Sequence, residues 1–306
     1  MLQQTTVAAV RPYYEKFMQR FPSLKSLAQA KIEDVYIYWA GLGYYSRARN
    51  LHRSAQMLWN EVKNGKGFPQ TATQLLEYPG FGPYTSRAVA SLAFDEPVGV
   101  LDGNVIRILT RHFGLDIDWW VPKAKNELQS LSDSLVQSDP KASSSSDVNQ
   151  GMMELGATIC TPKNPLCLSC PWKKTCKSFA DGKVSVRPKP KPRPEKEIWE
   201  WNFFIERKDE KIYVEENAAT PFLKGTAFPK SEAKKISKKP KKFSFSHSVT
   251  KYAIFVTVNE SLKARPKQGI NRKRAAPVSG GGRWIDAERV AEFNPTSLMK
   301  KILSYT

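Results

Sequence analysis

The sequence predicts a mainly α-helical N-terminal domain, a basic proline-rich linker and a smaller α+β C-terminal domain. Three observations predict it. Apolar residues recur at helical spacing through the first 180 or so positions, as in Val7, Val10, Tyr14, Phe17 and Phe21, which make one apolar stripe. Arg187-Pro-Lys-Pro-Lys-Pro-Arg-Pro194 then alternates proline with basic residues, a composition that favours an extended, solvated polyproline II segment. Beyond it, WEWNFFIER, KIYVEE and KYAIFVTVNE are rich in the aromatic and β-branched residues that strands prefer. The expected domains are residues 1–180, a linker over 181–197 and residues 198–306.

Within the first domain, helical patterns are expected around 47–63, 72–77, 84–94, 104–113 and 122–137, separated by short turns bearing Gly and Pro. The low-complexity stretch Lys141–Asp147 reads as a loop before the helical pattern resumes near Val148. In the second domain, Lys230–Lys242 reads as a basic loop, and one amphipathic helix is expected over Asp286–Leu303.

Composition narrows the function. The 306 residues carry 48 Lys+Arg against 29 Asp+Glu, a net charge of +19, and that excess points to a polyanion, most simply nucleic acid. No apolar run approaches the roughly 20 residues of a spanning helix, and the N-terminus lacks the basic and apolar regions of a secretory signal. The expectation is a cytoplasmic chain, nucleoid-associated in a bacterium, with no membrane partner. All four cysteines fall within residues 160–176. They are too few and too local for a disulfide scaffold, so they read as a metal site.

Cys160, Cys167, Cys170 and Cys176 follow C-x6-C-x2-C-x5-C. Four thiolates can hold a [4Fe–4S] cluster or a zinc ion. Structural zinc sites are commonly built from two close cysteine pairs, and here there is one. Lys163, Lys173, Lys174 and Lys177 lie in or beside this loop, where a pinned backbone would press them on phosphates. Leu76-Glu77-Tyr78-Pro79-Gly80-Phe81-Gly82-Pro83-Tyr84-Thr85 precedes a helical pattern. Gly80 and Gly82 around one apolar residue suit a tight hairpin that presents backbone N–H groups to a phosphate without reading sequence. An ordinary turn would also fit. Further on, Asp102 precedes the helical run Gly103-Asn-Val-Ile-Arg-Ile-Leu109, where it could be simply an N-cap.

The hairpin, the trailing Asp102 and the cysteine loop together resemble the helix-hairpin-helix DNA glycosylase superfamily that carries an iron–sulfur cluster. Three more stretches are similar to its adenine DNA glycosylases, the MutY type: Met1-Leu-Gln-Gln-Thr5, Trp39-Ala-Gly-Leu-Gly-Tyr-Tyr-Ser-Arg-Ala-Arg-Asn-Leu-His52, and Phe245-Ser246-His247. The resemblance implies a helix-hairpin-helix glycosylase domain with a [4Fe–4S] loop at 160–176, and a Nudix-like C-terminal domain. It implies a monomer acting on double-stranded DNA at adenine opposite 8-oxoguanine or G, with the base flipped out of the stack. Leu2, Gln3, Gln4 and Tyr44 then correspond to residues that probe or wedge the helix; the lesser alternative is that Leu2 and Tyr44 are core. Asp102 corresponds to the carboxylate facing the sugar cation, Asn104 to a neighbour that orients the reacting groups, and Tyr84 to a polar residue near the leaving base. Relatives with lyase activity carry a Lys at the Tyr84 position. Tyrosine cannot form a Schiff base, so a monofunctional enzyme is expected.

In the family the acid that protonates adenine is a Glu two positions before the Met of the M-L-Q-Q-T segment. Here that Met is Met1, so neither that Glu nor the helix around it belongs to this sequence. Loss of a general acid typically costs about 10²–10⁴-fold, so impairment is expected of the chain as written. A start assigned too far downstream and a truncated product that only binds lesions both account for this. Retention of Asp102, Tyr84 and four cysteines favours the first. Two different readings are a bifunctional glycosylase/lyase, which Tyr84 opposes, and an iron–sulfur DNA-binding regulator.

For the C-terminal domain the resemblance assigns Phe245, Ser246 and His247 to a loop that reads 8-oxoguanine. The dense Glu cluster of a working Nudix hydrolase is missing from the sequence, so nucleotide hydrolysis is not expected. The Lys230–Lys242 segment could add salt-sensitive phosphate binding. His52 and His112 stand singly on helical segments and read as structural.

Overall fold

A computed structural model describes residues 1–2, 7–138, 144–218, 220–260, 282–294 and 296–305. Its contacts group into two compact units. The first comprises Met1–Pro22, Ala30–Ala48 and Pro194–Thr306, and the second Ser23–Gln29 and Arg49–Arg193. Among the described residues no helix is long and apolar enough to cross a membrane.

The second unit is helical. It contains α2 (Leu24–Gln29), most of α4 (Tyr45–Lys63), α5 (Ala72–Leu75), α6 (Pro83–Phe94), α7 (Gly103–His112), α8 (Pro122–Gln137), α9 (Ser145–Thr158) and α10 (Lys177–Ala180). Local chemistry explains the boundaries. Thr71 and Gln74 form a reciprocal capping box on α5. Gly82 with Pro83 opens α6, and the Asp102 side chain caps α7 by accepting from Val105 N at 2.7 Å. Arg111 occupies the last turn of α7, where positive charge suits the helix dipole. Helix α9 begins at Ser145, with Ser144 as its cap, so the low-complexity stretch gives way to helix earlier than expected. The core packs Val105, Ile106, Ile108 and Leu109 of α7 against Leu128 of α8 and Met152 of α9.

The first unit holds α1 (Val7–Arg20), α3 (Ile32–Trp39) and the C-terminal sheet. In α1 the expected stripe divides: Val10 and Phe17 are buried and Phe21 beyond the helix is buried, whereas Val7 and Tyr14 are exposed. Phe17 and Phe21 pack edge-on against Trp39 and Tyr38. The sheet is formed by β1 (Glu197–Ile205), β2 (Arg207–Lys208), β3 (Lys211–Glu216), β4 (Ala227–Ile236), β5 (Phe245–Val249), β6 (Tyr252–Glu260) and β7 (Arg283–Asp286). Strand order is β2-β3-β4-β1-β6-β5, with β7 also on β3; β1 and β6 run parallel and the other pairs antiparallel. One sheet face buries Trp201, Phe203, Phe228, Ile254 and Val256 against Leu298, Met299 and Ile302 of α12 (Ser297–Leu303).

Three expectations need correction here. Residues 230–236 are not loop but part of β4, because Lys230, Lys234 and Lys235 pair with acids on and beside β1. The single helix over 286–303 is a 3-10 turn, a short α11 (Val290–Phe293) and α12, interrupted where Thr296 caps α12 and Asn294 donates to Ala227 O. The linker is not solvated throughout. The Arg187 guanidinium is only 4% exposed, paired with Asp116 at 2.7 Å and Asp181 at 3.2 Å, and Trp119 Nε1 donates to Lys189 O.

Candidate active site and thiol-lined cavity

In the second unit the hairpin rests on α4. Gly80 has φ +86°, a left-handed conformation, and a Cβ there would lie 2.9 Å from Asn50 Cβ. Both the backbone angle and the space therefore require glycine. Ser54 Oγ donates to Pro79 O at 2.5 Å and Tyr78 OH donates to Glu61 Oε2 at 2.8 Å, so successive turns of α4 fasten the hairpin. Burial and the Glu61 carboxylate push the Tyr78 hydroxyl up to about 12. Gly82 is the N-cap of α6 and makes no side-chain cap hydrogen bond, and Pro83 follows it at the first helical position.

Asp102, Asn104 and Tyr84 come together at the start of α6 and α7. Asp102 Oδ1 takes the Val105 N–H, and Oδ2 takes Asn104 Nδ2 at 3.1 Å, so both carboxylate oxygens are oriented. Burial first, and then the Asp102 charge, push the Tyr84 hydroxyl up, so the phenol stays protonated near neutral pH. Its OH lies 4.0 Å from Met153 Sδ on α9.

Sequence reasoning missed the residues that hold this cluster. Arg107 is only 8% exposed and reaches Asn104 Oδ1 at 2.8 Å, Gly156 O at 2.7 Å and Cys160 O at 2.6 Å. One turn later, Arg111 donates to Thr161 O at 2.8 Å, to Cys160 Sγ at 3.4 Å and to Arg187 O at 2.8 Å. The signal available was two arginines at i and i+4 among the apolar residues of α7. Asn149 of α9, 2% exposed, accepts from Val100 N and donates to Val98 O, pinning the approach to Asp102. Nothing in its sequence context marks it.

The four cysteines are partly buried free thiols that line one cavity with Arg111, Ile159, Lys173, Phe179 and Val184. Among the described residues no three His, Cys, Asp or Glu side chains converge on a single ion position; the thiols surround a space. Burial, followed by the charge of the neighbouring Cys160, pushes the Cys167 thiol up, the opposite of an activated nucleophile. Lys163 lies on the rim of an open groove beside the loop. His52 is buried, and His112 packs edge-on against Phe113 and at a tilt against Trp172.

The first unit gathers the other candidates. Tyr44 is a 53% exposed aromatic at φ +50°, and Leu2 is 58% exposed, so neither is core. The Arg47 guanidinium joins them. It donates to Met1 O at 2.9 Å and to Leu42 O and Gly43 O at 3.3 Å, and it lies over the Tyr44 and Trp39 rings. Gln3 and Gln4 lie outside the described residues. Phe245, Ser246 and His247 form part of the edge strand β5 instead of a loop, because their backbones pair with Val256, Phe255 and Ile254 of β6. Strand alternation therefore turns Phe245 and His247 to one face and Ser246 to the other. Phe245 stacks on Tyr305, and burial with nearby Lys301 holds His247 below the usual histidine value.

A glycine hairpin leading into a helix, followed by an Asp-capped helix whose arginines hold a four-thiol loop, defines a protein of the helix-hairpin-helix class. A family profile described as HhH-GPD superfamily base excision DNA repair protein matches residues 1–136. The adenine DNA glycosylase of Buchnera aphidicola subsp. Schizaphis graminum is 33% identical over 323 residues, which cover 99% of this chain and 88% of that protein. The adenine DNA glycosylase of Mus musculus is 44% identical over 192 residues, 61% of this chain and 36% of that protein. The chain thus spans about a third of the length of the mammalian relatives it matches. A thermostable thymine-DNA glycosylase superposes with a TM-score of 0.51 over 59% of this chain and 80% of that chain, at 27% identity. The chain belongs to the adenine DNA glycosylase family, and its residues 1–136 carry the HhH-GPD match.

Proposed function

We propose that the chain is a monofunctional DNA glycosylase that releases adenine from mispairs with 8-oxoguanine or G in double-stranded DNA. The observation that carries this reading is the oriented Asp102 carboxylate beside a neutral Tyr84 hydroxyl. As the N-glycosidic bond breaks, the bond pair leaves with the base, which takes up a proton, and positive charge develops on the sugar. A fixed carboxylate facing that cation stabilises it, as carboxylates do in sugar hydrolysis. Water then adds to the sugar carbon and loses a proton, leaving an abasic site. Asn104 orients Asp102, and Tyr84 offers a hydrogen-bond donor near the leaving base but no amine nucleophile.

In this reading the hairpin at Gly80 and Gly82 and the loop at Lys163 bind phosphates, while Leu2, Gln3, Gln4 and Tyr44 probe or wedge the duplex. Cys160, Cys167, Cys170 and Cys176 would hold a [4Fe–4S] cluster. Four soft donors around a space suit a multi-atom cluster better than one zinc ion. When bound, the cluster pins the basic loop. The C-terminal domain is read as Nudix-like, with Phe245, Ser246 and His247 recognising 8-oxoguanine; their place on an exposed sheet edge supports this. The proposed domains are 1–180 and 198–306 about the linker, in a monomer acting in the bacterial cytoplasm at the nucleoid.

The test is single-turnover base release from a duplex with adenine opposite 8-oxoguanine. Release that Asp102→Asn abolishes supports the reading. Lesion-specific binding without release would instead make the chain a lesion-binding protein. Strand cleavage coupled to release would make it bifunctional.

A further inference from the structure

The lysines over residues 230–242 divide into two groups. Lys230, Lys234 and Lys235 each pair with a carboxylate: Glu206 at 3.5 Å, Glu200 at 2.9 Å and Glu197 at 3.1 Å. Lys238, Lys239, Lys241 and Lys242 follow directly, all exposed, and among the described residues none has a carboxylate partner. Four unneutralised lysines in five positions repel one another, and a polyanion relieves that repulsion.

This run is also fastened in place. Lys239 Nζ sits 5.0 Å from the Phe243 ring centroid and 5.7 Å from that of Phe255, and the two rings meet edge-on at 4.9 Å. Ser244 N donates to Val256 O at 2.7 Å, and Ser244 Oγ accepts from Val258 N at 3.0 Å. Phe255 stands directly opposite Ser246 in the β5–β6 register, so the two share a sheet face. That face is opposite the one on which Ile254 and Val256 pack with α12. Lys239, the two aromatic rings and Ser246 therefore occupy one side of the sheet, and Lys238, Lys241 and Lys242 are exposed beside Lys239 in sequence.

We propose that this face, centred on Lys239 and extended by Lys238, Lys241 and Lys242, is a contact surface for the phosphate backbone of duplex DNA. The proposal rests on the reading that the chain acts on DNA. It assigns to the C-terminal sheet a sequence-independent grip, separate from the hairpin and from the cysteine loop. Such a grip on the Ser246 side of β5 would hold that strand against the duplex while the catalytic unit engages the base.

The experiment uses the full chain and a short lesion-free duplex, with affinity measured across a potassium chloride series. Combined Lys238→Gln, Lys239→Gln, Lys241→Gln and Lys242→Gln should make log K against log [salt] shallower by about 0.9 for each phosphate no longer neutralised. Combined Lys230→Gln, Lys234→Gln and Lys235→Gln, which removes the paired lysines, should leave the slope nearly unchanged. Base release from the mispair by the wild-type chain is measured in parallel, so a failure of the glycosylase reading is seen separately. An unchanged slope in the four-lysine variant overturns the proposal, as does an equal change in the control. Should the variant fail to fold, acetylation of wild-type lysines with and without duplex decides: protection confined to Lys238–Lys242 supports the surface, and absence of protection there overturns it. Retention on phosphatidylglycerol vesicles with an unchanged DNA slope would assign the patch to membranes and also overturn it.

Discussion

Asn104 Nδ2 donates to Asp102 Oδ2 at 3.1 Å, while Asn104 Oδ1 accepts from Arg107 Nη2 at 2.8 Å. Each end of the amide has a partner of the right polarity, so the amide is held between carboxylate and guanidinium. The other arm of Arg107 ends on Cys160 O. Asn104 and Arg107 together thus connect the proposed cation-stabilising carboxylate to the first cysteine of the loop.

Asp102→Asn should separate chemistry from folding. Asparagine caps helices about as well as aspartate, so thermal unfolding should show a loss of about 1 kcal/mol or less. Base release should disappear because the charge proposed to face the sugar cation is gone. A variant that unfolds at room temperature would show that Asp102 acts mainly as a structural cap.

Gly156→Ala should mimic Asn104→Ala. A Cβ on Gly156 would lie 2.6 Å from Asn104 Cβ and displace it. Misplacement of a catalytic group by about 1 Å costs roughly 10²-fold, and single-turnover rates of both variants should fall by about that factor. A wild-type rate in Gly156→Ala would show that Asn104 does not set the position of Asp102.

Tyr78 makes stability fall at high pH. Its hydroxyl is raised to about 12 in the folded chain, against about 10 for a free tyrosine. The stabilisation is complete below about 10 and is lost as pH rises through about 12, because the unfolded chain ionises first. Urea midpoints measured from pH 9 upwards should decline less steeply for Tyr78→Phe than for wild type. Parallel curves would remove Tyr78 from the account.

Gly80→Ala should weaken DNA binding through the hairpin. The left-handed backbone costs a non-glycine residue about 1–2 kcal/mol, and the contact with Asn50 adds to it. Asn50→Gly in the same chain should recover only the steric part. Affinity for undamaged duplex and the unfolding midpoint, measured together, separate the two contributions.

Arg47→Lys should impair base extrusion more than binding. A lysine cannot span Met1 O, Leu42 O and Gly43 O while stacking on Tyr44. Fluorescence of 2-aminopurine in place of the target adenine should rise less on saturation than with wild type, at a similar Kd. An equal fluorescence rise would show that Tyr44 keeps its place unaided.

Legible in the residues alone were most helices of the N-terminal half, the Gly82–Pro83 helix start and the Asp102 cap, since these signals are local and are read within one or two turns. The sequence also determined the chemical inventory: four thiols in one short loop, a glycine hairpin, a carboxylate and a tyrosine where a lyase has lysine. Tertiary structure decided which groups meet. Arg107 reaches Cys160 across a long separation in sequence, and Asn149 reaches Val100 in the same way; hydrogen bonds of that kind leave no local pattern. Structure likewise decided that Lys230–Ile236 is strand, because pairing with β1 and three cross-sheet acids outweighs a composition that reads as loop. Phe245, Ser246 and His247 became an edge strand for the same reason: backbone pairing with β6 alternates their side chains between faces, and a tripeptide carries no record of its partner.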